Sequence, residues 1–116
     1  MNILYLEDNP NDADLVSRYI QSEGHQIALV AKVDEVWNII PHSDLLIADI
    51  LIDGERVGVD VVRYLRDQGY QQPMIALTAL NSADETNACL EAGFDSVVTK
   101  PFTIDRLAGA LQQFLR

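Results

Sequence analysis

Short apolar runs and stretches with a helical period alternate along this chain from end to end. Ile3 to Leu6 is an apolar run that breaks off at Glu7-Asp8-Asn9-Pro10, a turn that also offers a helix start. From about Asn11, Leu15, Val16, Tyr19 and Ile20 fall at i, i+1, i+4 and i+5, one face of a helix stopped by Gly24. Ile27 to Val30 is a second short strand. Val33, Val36, Trp37 and Ile40 keep the spacing i, i+3, i+4, i+7 up to Pro41, where the helix ends. The stretch Asp44 to Gly58, DLLIADILIDGERVG, follows. Its run Leu45 to Ala48 is too short for a helix and reads as a strand buried on both faces, delivering Asp49 to the strand's carboxyl edge.

Beyond Gly58, Val61, Val62 and Leu65 mark a third helix that Gly69 closes. Pro73 precedes a fourth strand, Met74 to Leu77, with Thr78 at its end. Ser82-Ala83-Asp84-Glu85 matches the S-x-x-E capping box, which satisfies free amides at a helix start, and Gly93 ends that helix. Val97 and Val98 form the core of a fifth strand, followed by Thr99, Lys100 and Pro101. Ile104, Leu107, Ala108, Leu111, Phe114 and Leu115 then hold a helical period to the chain end, with Thr103 as its cap.

Five strands alternating with five helices predict an α/β domain, a doubly wound parallel sheet with helices on two faces. Right-handed crossovers leave few strand orders, and the flavodoxin-like 2-1-3-4-5 is the common one for five strands. In that order Glu7 and Asp8, Asp49, Thr78 and Lys100 all stand at the carboxyl ends of neighbouring strands. Open α/β sheets keep their sites at that edge, so these residues should converge on one pocket.

The length of 116 residues suits one domain, residues 1–116, with a sizeable core. No apolar run approaches the roughly 18 residues of a membrane span. Met1-Asn2-Ile3-Leu4 has neither the basic region nor the cleavage site of a secretory signal, so a cytoplasmic protein is expected. A net charge of −10 opposes direct binding to nucleic acid, which needs Lys and Arg to displace counterions. Cys89 is alone, which excludes an internal disulfide and a cysteine-rich metal site, and it reads as a packing residue.

Three carboxylates in one pocket repel one another, two charges about 4 Å apart costing on the order of 4 kcal/mol at an effective dielectric near 20. The cluster therefore needs a counter-charge. An all-oxygen donor set of two or three carboxylates suits Mg²⁺ better than a closed calcium cage. Lys100 supplies a second positive charge. Together they suit a phosphoryl group, with Thr78 donating a hydrogen bond and Asp49 as the nucleophile. Taken singly, each residue also has a plainer reading: an acid in a turn, a threonine at a helix entry, a solvated lysine. Their joint placement favours the functional one.

Other classes fit less well. A flavin-binding module of this architecture wants a Ser/Thr/Gly-rich loop after the first strand, where Glu7 and Asp8 stand. An aspartate-nucleophile phosphatase wants a second acid at the position of Leu51. A calcium loop over Asp49 to Asp60 fits at Asp53, Gly54 and Asp60 but fails at Leu51. A scaffold or binding module of the same fold that is never phosphorylated is the remaining alternative.

The acidic pair in YLEDNP, Asp49 in LLIADI, Thr78 in ALTA and Lys100 in TKPF are the motifs that carry a family resemblance. Over residues 2–116 the chain resembles a response-regulator receiver domain, the phosphoacceptor module of two-component signalling. The resemblance implies that Asp49 takes a phosphoryl group from a phosphohistidine on a sensor histidine kinase or a histidine phosphotransfer protein. It also implies direct Mg²⁺ ligation by Asp8, Asp49 and the backbone carbonyl of Leu51, with Glu7 acting through water. Lys100 would pair with Asp49 or its phosphoryl group, and Lys100-Pro101 would be cis. The output would be altered contact with a downstream protein or effector domain, or onward transfer in a phosphorelay, with a homodimer through helix four, strand five and helix five as one form.

Three departures from the family pattern stand out. Asp53 replaces the usual proline four residues after the phosphoacceptor, and the reach from Asp49 to Gly58 reads as one residue longer. Val97 stands where many receivers carry Tyr or Phe, so no aromatic switch is expected there. Leu51 and Leu80 flank the expected path of an attacking water and cannot orient one, which predicts a long-lived phosphoryl group.

Overall fold

The computed structural model describes residues 1–79 and 82–114. The strands are β1 (Asn2–Leu6), β2 (Gln26–Val30), β3 (Leu45–Asp49), β4 (Met74–Thr78) and β5 (Ser96–Thr99). They pair in parallel in the order β2-β1-β3-β4-β5, as expected. The helices are α1 (Pro10–Ser22), α2 (Val33–Ile39), α3 (Val57–Asp67), α4 (Ala83–Ala92) and α5 (Ile104–Gln112), with a 3-10 turn at Ile40–His42. None of the described helices is long and apolar enough to cross a membrane.

Strand alternation divides the core into two layers. Ile3 and Tyr5 of β1, Leu45 and Ile47 of β3, Ile75 and Leu77 of β4 and Val98 of β5 face α1 and α5. Leu4, Leu6, Leu46, Ala48, Met74 and Ala76 face α2, α3 and α4. The central strands β3 and β4 are buried along their whole length, which is why they read as unbroken apolar runs. Cys89 lies buried in the second layer, as a packing residue should.

Helix ends follow local chemistry. Asn9 caps α1 through Oδ1, accepting from Asn11 N at 2.9 Å and Asp12 N at 3.3 Å, with Pro10 at the first helical position. Thr103 and Ser82 cap α5 and α4, accepting from Arg106 N and Glu85 N. The Ser82 side of the expected capping box forms, and the Glu85 carboxylate pairs with Arg56 at 2.5 Å. The face of α1 also differs from expectation. Ala13, Val16 and Ile20 are buried, whereas Leu15 is 44% exposed. The helical period of the last segment ends at Gln112, and Leu115 lies outside the described residues.

The amino ends of β4 and β5 are tied by Arg66 at the end of α3. Its guanidinium donates to the carbonyls of Tyr70, Gln72 and Gly93 and to Asp95 Oδ2, all at 2.9 to 3.0 Å. Asp95 Oδ2 also accepts from Met74 N at 2.9 Å. The opposite, carboxyl edge is thereby left to the polar residues that end the strands.

Between β3 and α3 the chain makes a tight excursion. Ile52 and Glu55 exchange two backbone hydrogen bonds, 2.9 and 3.0 Å, around Asp53 (φ 52°) and Gly54 (φ 77°). Positive φ at both central residues is the type I′ turn that Asp-Gly favours. The excursion returns at Gly58, whose N–H donates to Ile50 O at 3.0 Å. A Cβ at Gly58 would lie 2.6 Å from Asp49 O and 2.8 Å from Ile50 Cα, both main-chain atoms unable to swing aside. Gly58→Ala should therefore cost about 1 to 3 kcal/mol by forced backbone movement. Gly109→Ala, where a Cβ on α5 meets nothing within 4 Å, should instead stabilise by roughly 0.5 to 1 kcal/mol. Urea denaturation of both variants checks the contrast, and equal effects would contradict it.

Candidate functional site

Register and alternation bring the acids together. Leu6 pairs with Ala48, so Glu7 and Asp49 are the next residues on neighbouring strands. Glu7 continues the Ile3, Tyr5 face, Asp49 the Leu45, Ile47 face, and Lys100 the face of Val98, all on the side of α1 and α5. Asp49 pairs with Leu77 and Thr78 with Thr99, and Thr78 O accepts from Lys100 N at 2.6 Å. Glu7, Asp49 and Thr78 are buried polar residues, 2%, 6% and 1% exposed.

Lys100 is the hub. Its Nζ donates to Glu7 Oε1, Asp12 Oδ2 and Asp49 Oδ2, each at 2.8 Å. Burial by itself would lower the Lys100 pKa, but the hydrogen bonds to Asp12, Asp49 and Glu7 outweigh it and hold the ammonium above its ordinary range. Tyr5 O–H also donates to Glu7 Oε1, at 3.2 Å. The Tyr5 phenol is raised by burial first and by the Glu7 charge second. Glu7 itself is pushed up to about 7 from an ordinary 4.5. Burial is the main cause, and the neighbouring Asp49 carboxylate adds to it against the opposing pull of Lys100.

Asp8 is exposed and enters the site from the other direction. Its Oδ2 accepts from Asp53 N at 2.8 Å, linking the type I′ turn to the end of β1. Leu51 N donates to Asp49 Oδ1 at 3.0 Å, so each oxygen of Asp49 has its own partner. Carboxylate oxygens of Glu7, Asp8 and Asp49 lie within 4.8 Å of one another and could hold a metal ion. The donor set fits a hard cation, and Glu7 Oε2 is buried with no hydrogen-bond partner among the described residues, an oxygen in need of a positive neighbour. Lys100-Pro101 is cis, as the family resemblance implies.

Two features of this region were not anticipated from sequence, the contact of Asp12 with Lys100 and the turn formed by Asp53-Gly54. Asp12 reaches Lys100 from the first turn of α1; its signal would have been an acid one turn into the helix that follows the acidic pair. The Asp53-Gly54 turn had an open signal, the Asp-Gly dipeptide flanked by apolar residues. Leu80 lies outside the described residues.

The family model described as response regulator receiver domain matches residues 3–112. The chain belongs to that family. Over its whole length the receiver domain is 32% identical to the response regulator protein PmrA of Pseudomonas aeruginosa, of which it covers 53%. It is 30% identical to the transcriptional regulatory protein TcrA of Mycobacterium tuberculosis, covering 46% of that protein. The chain thus spans about half the length of these curated relatives. The crystal structure of the BeF3-activated N-terminal receiver domain of Klebsiella pneumoniae RstA matches with a TM-score of 0.90 at 27% identity, over 100% of this chain and 99% of that one. The receiver domain is accordingly a signalling module of two-component systems.

The raised Glu7 carboxyl makes the stability of the receiver domain depend on pH when no divalent cation is present. A carboxyl whose folded-state pKa is raised favours the fold while protonated. That contribution is complete below about 4.5 and is lost as the pH rises through about 7. Glu7→Gln fixes the neutral form. In EDTA, the urea midpoint of Glu7→Gln relative to wild type should therefore rise between about pH 5 and about pH 8. A difference that stays constant across that interval would contradict the assignment.

Proposed function

We propose that residues 1–116 form one receiver domain in which Asp49 accepts a phosphoryl group from the phosphohistidine of a sensor histidine kinase or histidine phosphotransfer protein. The observation that carries this reading is the Asp49 carboxylate at the end of β3, with Lys100 Nζ 2.8 Å from Oδ2 and an oxygen-only acidic cluster beside it. Mg²⁺ would be held by Asp8, Asp49 and the Leu51 carbonyl, with Glu7 acting through water, and would supply charge neutralisation to the phosphoryl oxygens.

The rest of the chemistry falls to the side chains. An Asp49 carboxylate oxygen forms the new P–O bond as the P–N bond of the donor breaks, and the imidazole nitrogen leaves with the electron pair and takes up a proton. Lys100 balances the charge on the phosphoryl group, and Thr78 donates a hydrogen bond to it. The domain catalyses only its own phosphorylation and dephosphorylation. With Val97 half-buried against the α2–α4 layer in place of an aromatic residue, the signal passes through Thr78 and the backbone of α4 and β5. Its readout is altered contact with a downstream protein or effector domain, homodimerisation through α4, β5 and α5, or onward transfer in a phosphorelay, all in the cytoplasm.

Incubation with acetyl phosphate and Mg²⁺ should add one phosphoryl group by intact mass. The gain should vanish in Asp49→Asn and in EDTA; no gain in the wild type would favour a scaffold. Leu51, two residues past Asp49, offers no side-chain hydrogen bond to an attacking water. Leu51→Asn should speed loss of the phosphoryl group roughly fivefold, the worth of one hydrogen bond of about 1 kcal/mol. An unchanged decay rate would remove Leu51 as a cause of a long-lived phosphoryl group.

A further inference from the structure

Lys100 is fully subscribed in the resting site. An ammonium group has three N–H donors, and Glu7, Asp12 and Asp49 take one each at 2.8 Å. A phosphoryl group on Asp49 brings oxygens that need the same charge, so one present partner must give way.

The three are not equally free to leave. Asp49 carries the group. Glu7 has a side-chain exposure of 0% and shares its Oε1 with Tyr5, so it cannot turn to water. Asp12 has a side-chain exposure of 34% and no place among the oxygens of Glu7, Asp8 and Asp49 close enough to share a cation. Its backbone N–H is held by the Asn9 cap, so only the carboxylate needs to move.

We propose that Asp12 is a positioning residue that restrains Lys100 in the unphosphorylated domain and is displaced from it when a phosphoryl group is held on Asp49. The inference rests on the reading of Asp49 as phosphoacceptor. Asp12 opposes the phosphorylated state twice: it competes for Lys100, and once displaced it remains a negative charge near the phosphoryl oxygens. The resting population is therefore set partly by a residue that touches neither the metal site nor the reacting atoms.

Beryllofluoride, a phosphoryl mimic, tests this by calorimetric titration at saturating Mg²⁺. Asp12→Asn and Asp12→Ser should both bind it about threefold to tenfold more tightly than wild type, the scale of one partly exposed charge pair. Asp12→Glu should stay within about twofold, because it keeps the charge. Asp14→Asn removes an equally negative α1 residue that pairs with Arg18 at 3.1 Å, and it should leave the affinity unchanged. Mg²⁺ alone should bind all variants within about twofold, which a merely structural role for Asp12 would not respect. Unchanged or weaker beryllofluoride binding in both neutral variants would overturn the inference while leaving the phosphoacceptor reading standing. No beryllofluoride binding by the wild type would remove that reading and this one with it.

Discussion

Everything at the carboxyl edge of this sheet depends on one cation held among like charges. Glu7, Asp12 and Asp49 would repel one another at converging strand and helix ends, and Lys100 joins all three at 2.8 Å. Glu7, the residue that follows β1, is 93 residues away in sequence, so the bond ties the end of the first strand to the turn that follows the last. Removing Lys100 leaves the buried carboxylates of Glu7 and Asp49 without their counter-charge, a loss of about 3 to 5 kcal/mol. The same arrangement leaves the acids poised, because the cation they share is a partner that a phosphoryl group also requires.

The fold was largely legible because its parallel strands are buried on both faces and are bounded by turn chemistry. Leu45 to Ala48 and Met74 to Leu77 could be nothing but core, and Ser82 and Thr103 announced helix starts. Once five strands are placed in order, period-2 alternation puts Glu7, Asp49 and Lys100 on one side. The meeting of these three residues thus follows from spacing and topology alone.

What sequence did not disclose depends on how elements are rotated and crossed. Leu15 is more apolar than Ala13, yet Ala13 is the buried one, because the face of α1 is fixed by its approach to the sheet and not by residue size. The same rotation carries Asp12 to Lys100, a contact with no signature in local spacing. Glu85 looked committed to its own helix end, but Arg56 from the β3–α3 excursion competes for it. Arg66 shows the converse: its side chain ties the segment before β4 to the segment before β5, mostly through main-chain carbonyls, which any residue can supply and no pattern betrays.

The return of the chain at Gly58 has a consequence for how this family tolerates variation. Ile50 O and Gly58 N close residues 51–57 into a ring whose two ends are pinned against Asp49. Loop-closure entropy grows only logarithmically, about 0.6 kcal/mol for each doubling of length, so an added residue in the ring is thermodynamically cheap. Here the ring folds on itself as the Asp53-Gly54 turn while its base stays fixed. Length and composition at the rim can therefore drift between relatives with the main chain of Asp49 undisturbed. The rim is open to change because its base is closed.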